Sequence, residues 1–129
     1  MGQKVNPISF RLGYIKSSIS KWIERNNKKF SKNVVEDKKI RNYLIKTLYS
    51  CKISKILIAR RADDKIKVSI QASNSRIIIG KSGSNINEIK NKLESIFNKK
   101  FDIEVIGVKN PQLDARVTAF DIGEKIKKK

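Results

Sequence analysis

Ile77-Ile78-Ile79-Gly80-Lys81-Ser82-Gly83-Ser84-Asn85-Ile86 runs three branched apolar residues into a Gly-x-x-Gly loop, and amphipathic spacing begins directly beyond it. Gly80 and Gly83 have no Cβ, so positive φ is accessible and an anion can approach the main chain closely. A helix that starts after such a loop presents unpaired N–H groups and the positive end of its dipole, both favourable to a phosphate. Lys81 adds a cation at the tip. A loop of this kind holds a nucleic-acid backbone and does little to read sequence.

Gly80-Lys81-Ser82 also ends the pattern Gly-x-x-x-x-Gly-Lys-Ser/Thr of nucleotide-binding loops. The first glycine of that pattern would fall at residue 75, which is Ser75, and Ile77 to Ile79 would fill a loop that needs flexible, exposed backbone. The nucleotide-hydrolase reading fails on that context. An ordinary helix–turn–helix corner would also place glycines at its turn, so the flanking elements have to decide.

Ile40, Tyr43, Leu44 and Leu48 share one helical face and predict a helix over about 35–50. Ile53 to Ala59 is short, apolar and β-branched, as a buried strand requires. Ile66, Val68, Ile70 and Ala72 then alternate with Lys65, Lys67, Ser69 and Gln71, the period-two mark of a half-buried strand. Arg60 to Asp64 connects the two as a hairpin, with Asp63-Asp64 as a solvated turn. Beyond the glycine loop, Ile86, Ile89, Leu93, Ile96 and Phe97 predict a helix over about 84–98, with Ser84 as its N-cap. Phe101, Ile103 and Val105 alternate with Asp102 and Glu104 and predict a last strand.

The order is α-β-β-α-α-β with the glycine loop between the second and third helices. That is the arrangement of a type II KH domain, an α+β RNA-binding module with a three-stranded sheet and helices on one face. Loop and topology rest on separate residues and agree. The chain divides into a basic N-terminal arm (1–33), the KH domain (34–109) and a C-terminal helix with a lysine tail (110–129). The tail segment opens with Asn110-Pro111 as N-cap and first helical position, and Leu113, Val117 and Phe120 keep helical spacing.

Thirty lysines and arginines stand against 12 acids in 129 residues, a net charge of +18 with no histidine. That charge points to a nucleic-acid partner. No apolar run approaches the roughly 20 residues needed to span a bilayer, so no membrane partner is expected. Nor does an apolar run after Lys4 suggest a secretory signal. Cys51 is the one cysteine and reads as a small buried hydrophobe. Without histidine there is no imidazole base and no Cys/His metal site. No catalytic residue, cofactor or metal ligand is assigned.

The arm holds eight cations against Glu24 alone, with apolar residues such as Phe10, Tyr14 and Trp22 scattered without period. This pattern predicts a segment that takes its shape on a partner, cations on phosphate and aromatics in pockets. Candidate RNA-binding residues are Gly80, Lys81, Ser82 and Gly83 with Arg76 beside them; Lys4, Arg11, Lys16 and Lys21 in the arm; and Lys127 and Lys128 in the tail.

Met1-Gly2-Gln3-Lys4-Val5-Asn6-Pro7 followed by Arg11-Leu12-Gly13 closely resembles the opening of the third small-subunit ribosomal protein family, in its bacterial and organellar form. Trp22, Arg41-Asn42-Tyr43-Leu44, the loop itself and Lys109-Asn110-Pro111-Gln112-Leu113-Asp114-Ala115 extend the resemblance over nearly the whole chain. It departs at Ser75-Arg76, where the family carries Pro-Gly, and it lacks the family's second α/β domain. The resemblance implies a non-enzymatic constituent of the small-subunit head that binds rRNA and neighbouring ribosomal proteins and helps position mRNA at the entry channel. A separate chain supplying the missing domain would be a further partner. The implied location is the ribosome, in an organelle (mitochondrion or plastid) or the bacterial cytoplasm. The alternative is a freestanding KH protein that binds single-stranded RNA as a regulator or assembly factor.

Overall fold

A computed structural model describes residues 2–61 and 65–128, with Ser82 described by its backbone alone. The expected Asp63-Asp64 turn and Lys129 lie outside the described residues. The elements follow as α1 (Pro7–Phe10), β1 (Ser20–Lys21), α2 (Asn27–Thr47), β2 (Ile53–Arg60), β3 (Lys65–Ala72), α3 (Ser75–Ile79), α4 (Ser84–Phe97), β4 (Lys100–Gly107) and α5 (Ala115–Lys127). From α2 to β4 the order is the expected α-β-β-α-α-β.

Alternation builds the sheet. β2 and β3 pair antiparallel, with Ile56 opposite Ile70 and Ile58 opposite Val68. β4 runs parallel to β3, from Lys65 opposite Lys100 to Ala72 opposite Gly107. Ile56, Ile58, Ile66, Val68, Ile70 and Phe101 point to one face and meet Ile40 and Leu44 of α2, Ile78 of α3, and Ile89 and Leu93 of α4 in a single core. Cys51 is buried in it. α2, α3 and α4 thus lie on one face, and the other carries polar and charged residues such as Lys55, Lys67, Ser69 and Glu104, with Ile8, Leu12 and Ile15 of the arm beside Leu57.

The sheet has four strands, where three were expected. The added strand β1 comes from the arm and pairs parallel with β2, Ser20 opposite Ile58 and Lys21 opposite Ala59. Two residues without alternation carry no strand signal, so only the partner strand reveals it. α2 also begins earlier than its apolar stripe. Asn26 caps it by accepting hydrogen bonds from the N–H of Lys28 (3.0 Å) and Lys29 (3.4 Å).

Trp22, expected in a partner's pocket, packs on this chain instead. Its ring lies 5.5 Å from that of Phe30 and 5.5 Å from the Arg60 guanidinium, and its indole N–H donates to Asp37 at 2.8 Å. Asp37, only 2% exposed, also accepts from Arg60 Nη2 at 2.6 Å. Arg60 donates further to Glu36 at 3.0 Å, and Lys99 donates to Glu36 at 2.8 Å.

α5 folds back on the module. Its N-cap is Asp114 and not Asn110: the Asp114 carboxylate accepts from the N–H of Arg116 (3.0 Å) and Val117 (3.2 Å) and from the Ser54 hydroxyl. Pro111–Leu113 forms a separate 3-10 turn that leaves Leu113 83% exposed, while Val117 is buried. A register shift between Ile53 and Lys55 lets consecutive residues Ile53 and Ser54 both face inward, which brings Ser54 to Asp114. Lys52 pairs with Asp121 and Glu124, and Phe120 meets Tyr49 edge-on at 5.5 Å.

Replacing Asp37 with alanine leaves the Arg60 and Trp22 donors short of their buried acceptor. It should lower stability by about 3 kcal/mol, as for other broken buried pairs. A urea titration showing a loss below about 1 kcal/mol, the scale of an ordinary net hydrogen bond, would contradict that role.

Partial burial pushes the Glu36 carboxyl up, but the hydrogen bonds and charges of Lys99 and Arg60 outweigh it and hold the group below its ordinary 4.5. The Ser54 hydroxyl is the main cause that holds Asp114 below its ordinary 3.8. Both carboxyls bind protons more weakly folded than unfolded. Their contribution is therefore present above the ordinary values and lost as pH falls through the lower folded values. In acid melts, E36Q and D114N should each flatten the loss of stability below pH 4.5 relative to the parent chain; parallel curves would exclude the linkage.

Candidate nucleic-acid interface

α3 ends at Ile79 because Gly80 leaves helical backbone, with φ 71° and ψ −175°, while its N–H still donates to the Arg76 carbonyl at 3.0 Å. That backbone region is open essentially to glycine alone. Lys81 to Gly83 make one 3-10 turn, and Gly83, at φ 80° and ψ 10°, stands as N-cap of α4. Ser84, expected as the cap, is instead the first helical residue, and no side chain caps this end. The Ser84 N–H donates to the Lys81 carbonyl. For the first-turn N–H groups beyond it no side chain among the described residues accepts, which opens them to solvent or an anion beside the exposed Lys81.

Asn85 is the residue the sequence reading missed. Its side-chain amide donates to the Ile77 carbonyl at 3.1 Å and so ties the end of α3 to the start of α4. It also closes the space over Gly80, where an added Cβ would lie 2.6 Å from the Asn85 Cγ. A Cβ at Gly83 would meet nothing within 4 Å. A polar residue in the first turn beyond a glycine loop was the available signal. Of the three isoleucines, only Ile78 enters the core; Ile77 and Ile79 stay exposed beside the loop.

The structure gathers Arg76, Gly80, Lys81, Ser82 and Gly83 at one corner, where Ser75 packs against Gly107 at the end of β4. It does not bring the arm cations there. β1 carries Lys21 along the β2 edge, and β4 is the opposite edge, about 14 Å away at ordinary strand spacing. Lys4, Lys16 and Lys21 are exposed, and Arg11 turns back to donate to the Pro7 carbonyl at 2.9 Å. Lys127 lies 5.6 Å over the ring of Tyr49, and the exposed Lys128 closes α5. Among the described residues no cluster of acids and cysteine suited to a metal ion is present, and no helix is long and apolar enough to cross a membrane.

The KH domain model matches residues 39–113, more than half of the chain. The chain is also similar over its entire length to proteins named small ribosomal subunit protein uS3. It is 39% identical to that of Kosmotoga olearia, 42% to that of Acetivibrio thermocellus and 44% to that of Trichlorobacter lovleyi. It spans 59%, 56% and 60% of those proteins, so less than two-thirds of each relative is represented.

Alanine at Gly80 has to adopt a glycine-only backbone and displace Asn85, whereas alanine at Gly83 meets only the left-handed penalty of about 1–2 kcal/mol. G80A should therefore lower the urea midpoint clearly more than G83A. Equal midpoints would remove Asn85 from this account.

Proposed function

The chain belongs to the KH domain family, and on that premise we propose that it is an rRNA-binding structural constituent of the small ribosomal subunit. The observation that carries this reading is the extent of the similarity to the uS3 proteins: it runs through all 129 residues, arm and tail included, and not through the KH region alone. A freestanding RNA regulator has no use for the arm. The arm's exposed apolar groups, among them Tyr14 at 94% and Ile23 at 96%, suit docking on neighbouring ribosomal proteins, and its cations suit rRNA phosphates.

In this reading the corner from Arg76 to Gly83 clamps RNA backbone. The uncapped start of α4 supplies N–H donors, Gly80 and Gly83 lack a Cβ and let the RNA backbone approach the main chain, and Lys81 supplies charge. Ile77 and Ile79 offer an apolar shelf for an unstacked base. The bound strand is rRNA or incoming mRNA at the entry channel. The chain works on the ribosome, with the small-subunit proteins beside it as partners.

Two measurements test the reading. After a high-salt wash, sucrose-gradient sedimentation of a lysate should keep this chain with the small subunit; recovery only in light fractions would replace the ribosomal role with that of a freestanding RNA-binding protein. Changing Lys81 and Ser82 together to aspartate should leave the fold intact and reduce RNA crosslinking at the loop. Undiminished crosslinking would remove the clamp.

A further inference from the structure

Seen along its axis, α2 has a second working face. At about 100° per residue, Lys28, Lys32, Lys39 and Lys46 fall within about 40° of one another. The buried residues Asp37, Ile40 and Leu44 lie on the other side of the helix, about 140° away. All four lysines are exposed. At a rise of about 1.5 Å per residue they span about 27 Å, in steps of about 6, 10.5 and 10.5 Å. Both acids of α2, Glu36 and Asp37, are turned to Arg60 and Lys99. Among the described residues, none of the four lysines makes an ion pair.

An ordinary solvated helix face alternates charge signs along its length. Here the line is of one sign, and like charges a turn apart, as Lys28 and Lys32 are, weaken a helix on their own. An anionic partner removes that repulsion. The line holds no aromatic group on which bases could stack. Tyr43, at its margin, packs against the core. Single-stranded RNA would thus gain little beyond charge. The buried stripe of α2 is committed to the core, and the exposed Phe30, Val34 and Val35 form no continuous apolar face to insert into a lipid surface. Point charges on a rigid rod, with nothing to read bases, match the fixed phosphate rows of a double helix.

We propose that the outer face of α2, through Lys28, Lys32, Lys39 and Lys46, is a second RNA-binding surface that grips the backbone of double-helical RNA, independent of the glycine loop. This rests on the RNA-binding reading above and adds a partner of different form: a duplex on α2, a single strand at the loop.

The test measures affinity of the full chain for a blunt RNA duplex longer than the stripe, across a salt series, with a single-stranded oligonucleotide in parallel. Each lysine–phosphate contact adds about 0.9 to the steepness of log K against log salt on a duplex, so K28Q/K32Q/K39Q/K46Q should flatten the slope by about 3.5. Duplex affinity at low salt should fall at least about tenfold, with single-strand binding little changed. The paired variants K28Q/K32Q and K39Q/K46Q should each produce about half of the change in slope, and the four-arginine variant should keep the parent slope. A parent chain that binds neither RNA would overturn the RNA-binding reading itself. A parent chain that binds while the glutamine variant keeps its duplex slope would overturn the stripe alone. Stripe-dependent capture on phosphatidylserine vesicles with unchanged duplex binding would overturn it in favour of a membrane surface.

Discussion

Asp37 is the carboxylate on which the arrangement of the chain depends. It is buried on the inner face of α2, where a charge is tolerated only if its oxygens are occupied. The donors that occupy them come from two parts of the chain: Arg60 at the end of β2, and in the arm Trp22 and the β1 residue Ser20, the last at 3.5 Å. Arg41, one turn along α2, donates to the Ser20 hydroxyl at 2.9 Å and completes the ring. One desolvated group thus fixes where the arm leaves the sheet and how α2 lies across it.

The position of α2 in turn sets what the surface can do. With its inner side held by Asp37, Ile40 and Leu44, its outer side carries lysine without acid. The glycine loop sits at the β4 side, built by a different local constraint. There Gly80 takes a backbone closed to other residues, and Asn85 fills the space a side chain would need. The net charge of +18 is accordingly not spread evenly around a sphere. Besides the cations of the sheet and α4, it gathers at the loop, on the outer α2 face, in the arm and at the end of α5, which is where the proposed RNA contacts lie.

Much of this was legible in the residues. Strict alternation in β3 and the Ile40–Leu44–Leu48 stripe in α2 specify faces, so the core and the element order followed from period alone. The loop was legible because two glycines at that spacing have few structural uses. What escaped was what period does not encode. β1 is two residues long and exists only because β2 offers an edge. The first turns of α2 lie beyond the apolar stripe and depend on the Asn26 cap. Trp22 carried no sign of whether its pocket belonged to this chain or to another, since that was decided by Asp37 and Arg60, respectively 15 and 38 positions away in sequence. Asp114 displaced Asn110 as the α5 cap because Ser54, a distant residue turned inward by a bulge, binds it.

The central claim is that RNA backbone is held by the main chain around Gly80 and Gly83 and by the open start of α4. Titrating the full, isotopically labelled chain with a single-stranded RNA oligonucleotide and following backbone amide resonances tests it most directly. The account predicts that the amides of Gly80 to Ile86 shift together and saturate with a single affinity. Saturating shifts elsewhere on the chain, with those amides unmoved, would contradict it.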